Sequence, residues 1–204
     1  AESMKNFMPK PYHRGARRKR RRAAVSDYSG TAARRRIMLR FVLALALACD
    51  QTRVFNMLFS DRASGLRMPG SPDTHHTLTH EEPRDPELGY QPRATFFVQK
   101  SMEAWAQFVQ ALDAVPEGDG TLLDNCLVLA LSETSEANTH SVVGLPFMTA
   151  GTAGGRVKTG LHVSGVGEST SRVGLTMQQA MGLNTGQWGT DQNQTDKPIS
   201  EIMT

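Results

Sequence analysis

Six consecutive cations, Arg17-Arg18-Lys19-Arg20-Arg21-Arg22, restrict where a folded core can begin in this chain. Such a run repels itself, buries no apolar side chain and stays solvated unless a polyanion covers it. Residues 1–40 carry thirteen Lys/Arg against two acidic residues, a net +11, and the remainder carries ten against eighteen, a net −8. The overall charge of +3 is an average over two unlike parts. The expected division is a basic, poorly ordered arm over residues 1–36 followed by an α/β domain over residues 37–204. Polyanion binding by counterion release, or adhesion to anionic lipid, is the functional reading of the arm. No aromatic or recognition-helix pattern accompanies the cations, so nucleic acid is not an expected partner and a solvated tail is the plainer reading.

Behind the arm lies an apolar run, Phe41-Val42-Leu43-Ala44-Leu45-Ala46-Leu47-Ala48-Cys49, preceded by Arg34-Arg35-Arg36. It has the look of an export signal, but it begins far from the first residue, and Asp50 and Arg53 follow it directly. It falls well short of the ~20 apolar residues of a membrane span. Its Leu and Ala content predicts a buried core helix instead. No transmembrane segment is expected elsewhere. Cys49 and Cys126 both sit in apolar runs, which suits buried free thiols, although spacing leaves a bridge open.

The rest reads as alternating helix and strand. Residues 53–59 suggest a strand leaving the first helix, and residues 60–92, rich in Pro, Gly and charge, suggest a long loop. Phe97, Met102, Trp105, Phe108, Val109 and Leu112 recur at helical spacing and predict an amphipathic helix across residues 94–115, closed by the turn chemistry of Pro116-Glu117-Gly118-Asp119-Gly120. Leu127-Val128-Leu129-Ala130-Leu131 predicts a buried strand of a parallel sheet, and residues 145–151 a second short strand. Gly151-Thr152-Ala153-Gly154-Gly155-Arg156 lacks the Gly-Lys-Ser/Thr of a phosphate loop and reads as a turn. A short helix over residues 172–181 and an irregular polar end complete an α/β pattern.

Two constellations carry chemistry. His75-His76-Thr77-Leu78-Thr79-His80-Glu81-Glu82 holds half of the six histidines together with two carboxylates. Imidazole and carboxylate are the ligand types of zinc and other first-row divalent ions. The second is Ser132-Glu133 followed by His140, directly after the apolar strand. Ligand sites of open α/β sheets gather at the carboxyl ends of strands. His140 can return to the same crevice through the polar loop Ala137-Asn138-Thr139. The plainer alternative is a polar surface loop bearing hydrogen-bonded histidines.

From about residue 37 onward the chain resembles the bacterial family of unknown function named for its HXXSHH motif. The resemblance is carried, in order, by residues 45–54, His75-His76-Thr77-Leu78-Thr79-His80, residues 118–125, Ser132-Glu133, Asn138-Thr139-His140, Leu145-Pro146 and residues 150–162. It implies an alkaline-phosphatase-like α/β fold related to sulfatases and to exported, periplasmic proteins with twin-arginine signals. It also implies a divalent metal, zinc, manganese or calcium, acting on a phosphate or sulfate ester. On this reading His76, His80, Glu133 and His140 are candidate metal ligands, with Thr79, Ser132, Glu81 and His75 around them. The chain departs from the motif in having Thr79 for Ser and Glu81 for the last His. It resembles the carboxyl-terminal half of a family member, so the nucleophile, the export signal and the early strands are expected from an amino-terminal half. The expected activity of these residues alone is weak or absent. A non-catalytic binding module of the same fold is the alternative.

Overall fold

A computed structural model describes residues 41–204. Residues 1–40, which include the basic arm of residues 1–36, lie outside the described residues. Helical turns over residues 41–48 (α1) are followed by α2 (His75–Glu81), α3 (Pro92–Asp113) and a tight hairpin of β1 (Pro116–Glu117) and β2 (Gly120–Thr121). Then come α4 (Leu122–Asn125), β3 (Val128–Leu131), β4 (Phe147–Ala150) and α5 (Ser171–Ala180), with two 3₁₀ turns near the end. The fold is mixed α/β.

α3 is the spine. Pro92 opens it, its fixed φ suiting a first turn whose N–H groups have no helical acceptor. Ala94, Phe97, Ala104, Phe108 and Leu112 are buried along one stripe, as period 3.6 requires. At about 1.5 Å per residue the helix is long enough to serve two separate cores. Its first turns pack Ala94 and Phe97 against Leu66 and Leu78. Its last turns pack Phe108 and Leu112 against Ala44, Leu122 and Val128. A third cluster, Ala153, Val157 and Ala180, joins the loop after β4 to α5. There the Thr176 hydroxyl donates to the Arg172 carbonyl at 2.6 Å and accepts from the Ile199 N–H at 2.7 Å. This buried hydroxyl ties the chain end to α5 with no lost hydrogen bond.

Several expectations are met. The amphipathic helix, the turn at Gly118-Asp119, the strands at 128–131 and 147–150 and the short helix near 172–181 all form. Others are corrected. The expected parallel sheet is absent from the described residues, because β3 pairs antiparallel with β4, Val128 opposite Ala150 and Leu131 opposite Phe147. The β3 run is apolar on both faces, which suits a parallel strand. However, residues 132–146 fold back on themselves and deliver the chain in the opposite sense, without the crossover that parallel pairing needs. Leu131 is left 57% exposed.

Residues 53–59 form no strand; Phe55 instead meets the Phe108 ring edge-on at 5.4 Å. α1 is a core helix on one face only. Ala44 is buried while Phe41 and Leu45 are exposed. Both cysteines are free, but Cys49 is exposed and Cys126 half-buried, so burial of both thiols does not hold. Burial, and then the nearby Glu117 carboxylate, push the Cys126 thiol upward from its ordinary pKa.

Candidate functional site

The histidine segment expected as loop is a helix. Thr74 caps α2, its hydroxyl accepting the Thr77 N–H at 3.0 Å. Leu78 anchors the helix in the core it shares with α3. Helical spacing then sets the three histidines apart. His76 and His80, one turn from each other, meet edge to face with ring centroids 4.9 Å apart. His75 points elsewhere and stacks on Phe97 at 4.5 Å. Burial, and secondarily the neighbouring His76, hold the His75 pKa below its ordinary value, and its Nδ1 has no hydrogen-bond partner.

The end of α2 is joined to the start of α3 by reciprocal capping. Gln91 Nε2 donates to the carbonyls of Leu78, Thr79 and Glu82 at 3.3, 3.2 and 2.6 Å. In return, the two carboxylate oxygens of Glu82 accept the Arg93 and Ala94 N–H groups, each at 2.8 Å. Glu82 thus places negative charge on the positive end of α3. Glu81 faces a cleft of about 550 Å³ whose wall includes Asp73, Thr77, Glu82 and Arg93. Within it Arg93 pairs with Asp73 at 2.6 Å.

The second constellation arrives by way of β3. Ser132 and Glu133 follow its last residue, as expected, and both are exposed. Beyond them residues 136–141 close a small loop with Glu136 bridged to Ser141. His140 sits in the left-handed region at φ 53°, a conformation that non-glycine residues adopt at a cost. That geometry brings its ring to the α2 pair: His80 and His140 lie 5.1 Å apart between centroids, again edge to face. Three imidazoles from two distant segments therefore share one surface, in the order His76, His80, His140.

Among the described residues, no group of three or more His, Cys, Asp or Glu side chains is arranged to hold a metal ion. Glu133 joins no such cluster. The Thr79 hydroxyl donates to the His76 backbone carbonyl at 2.8 Å, not to an imidazole. The donor chemistry nevertheless suits a first-row divalent ion, and paired histidines one helical turn apart are a recognised chelating arrangement. The fit is thus one of donor type and pair spacing, without a closed three-ligand shell.

Sequence reasoning gave no role to the side chains that hold the surface together. Asn138 Nδ2 donates to the His80 carbonyl at 3.0 Å, and Arg84 pairs with Glu136 at 2.9 Å. Their signal was weak: an Asn inside a loop beside a carboxylate, and an Arg just past a helix end. No family model, curated protein or solved structure matches the chain. No described helix is long and apolar enough to cross a membrane.

Proposed function

We propose that the described residues are part of an α/β domain of the HXXSHH kind, related to metal-dependent phosphate and sulfate ester hydrolases. In this reading the His76–His80–His140 surface binds a divalent metal ion. One observation supports it above the others: His140, sixty residues from His80 in sequence, is held beside that ring in a strained backbone conformation. His76 and His80 supply a chelating pair from one helix face, and His140 is the third donor once its ring turns toward them. A bound metal would polarise an ester oxygen or acidify a coordinated water. Each strand of the β3–β4 pair keeps one edge without a partner among the described residues, and further strands of an alkaline-phosphatase-like sheet would add there.

Catalysis by these residues alone is not part of the proposal. Ester hydrolysis by a covalent route needs a positioned nucleophile and donors for the developing charge. Thr79 spends its hydroxyl on a backbone carbonyl, and Ser132 lies exposed beyond β3. On this reading an amino-terminal portion supplies the nucleophile.

Zinc, manganese and calcium titrations of the 204-residue chain, by calorimetry and by competition with a chromophoric chelator, test the binding. Zinc is expected to bind at one site, and His76→Ala, His80→Ala and His140→Ala each to weaken it. Aryl phosphates and aryl sulfates are expected to turn over slowly or not at all. Binding that is indifferent to all three substitutions would end the metal reading. Robust metal-dependent turnover lost in His140→Ala would show a complete enzyme.

A further inference from the structure

The loop that delivers His140 has little of its own to hold it in place. Within residues 136–141 the bonds are local: the Ser141 N–H donates to the Glu136 carbonyl at 3.0 Å, and the Thr139 hydroxyl donates to the Glu136 carboxylate at 3.3 Å. None of these residues belongs to a hydrophobic cluster. Two long-range bonds reach the α2 side. Asn138 donates to the carbonyl of His80, the same residue whose ring meets His140. That carbonyl lies in the last turn of α2, where the helix provides no N–H for it. The second bond is Arg84 to Glu136, with side chains 65% and 48% exposed. Glu136 therefore holds Arg84 through one carboxylate oxygen and Thr139 through the other.

We propose that Asn138 and Glu136 are positioning residues, a latch that docks the 136–141 loop on α2 and so seats the His140 ring against His80. The proposal rests on the metal-binding reading for the purpose of the latch, though not for its existence. Because the Arg84–Glu136 pair is exposed, salt loosens the latch; the Asn138 bond, between neutral groups, persists.

The test uses the full chain with two readouts: zinc affinity by chelator competition, and the nuclear Overhauser contact between His80 and His140 ring protons in metal-free protein. Asn138→Ala is expected to weaken zinc binding about 3–10-fold, the worth of one hydrogen bond, and to reduce the ring–ring contact. Arg84→Glu should act in the same direction, and Arg84→Glu combined with Glu136→Arg should restore both readouts. In a His140→Ala background, Asn138→Ala should cost no further affinity, because its effect passes through His140. An equal loss in that background, or an unchanged ring–ring contact in both Asn138→Ala and Arg84→Glu, overturns the latch. If His140→Ala leaves zinc affinity intact, His140 is excluded as a ligand, and the metal-free ring–ring contact alone decides the latch.

Discussion

His140 offers a substitution series in which the usual ranking of residues should invert. Its φ of 53° lies where a side-chain Cβ crowds the following carbonyl, at a cost of about 1–2 kcal/mol. Glycine escapes that cost but adds about 0.4–1 kcal/mol of unfolded-state entropy to be lost on folding. Both His140→Ala and His140→Gly lose the ring contact with His80, so that loss cancels in the comparison. The glycine variant should therefore be the more stable of the two, by about 0.5–1 kcal/mol. With a urea slope of about 2 kcal/mol per molar, the midpoints should differ by about 0.3–0.5 M. Amide exchange at Ser141, whose N–H donates to the Glu136 carbonyl at 3.0 Å, gives a local readout of the same loop. The Ser141 amide should exchange more slowly in His140→Gly than in His140→Ala, with metal removed by chelator throughout. Equal stability, or a more stable alanine variant, would refute the assigned backbone conformation and the reasoning that the loop is strained to present this ring.

Other expectations concern the supports of the site. Glu82→Ala strips two N–H acceptors from the start of α3 and should lower stability by about 1–2 kcal/mol, with Glu82→Gln losing less; thermal unfolding checks it. For His75 the folded pKa lies below the unfolded one, so between the two values the unfolded chain binds more protons. Its contribution is complete above the ordinary value of about 6.5 and declines as pH falls through and below it. Urea midpoints of metal-free protein across pH 5–8 should fall on the acid side, and His75→Phe, which keeps an aromatic ring on Phe97, should flatten that part of the profile.

Much of the architecture was legible because it follows from periodicity. The stripe from Phe97 to Leu112 could hardly be anything but a helix face, and Gly118-Asp119 needed only turn chemistry. The helix under the histidines was less visible. Thr74 is a good cap and Leu78 a good anchor, but seven residues among prolines and charges give too short a window for a period to emerge. The parallel sheet was misjudged because an apolar four-residue strand is ambiguous about its partner, and direction depends on the route of residues 132–146. The meeting of His140 with His80 was expected from two separate motifs. Its geometry was not, since it depends on one left-handed residue and on an Asn–carbonyl bond that no local pattern announces. Whether the arm is disordered lies outside the described residues.

The three separate clusters of buried side chains have a consequence for how the histidine surface fails. α2 is held to α3 by a buried set of its own, Leu66, Leu78, Ala94 and Phe97, while the far half of α3 belongs to another cluster. Cooperative units in a protein open with their own free energies, and a unit with few buried contacts opens first. Loosening that first cluster would release α2 from the spine and part His80 from His140, with β3, β4 and α5 still folded. The surface can thus be dismantled and rebuilt by a local fluctuation, at a cost set by four side chains and two caps.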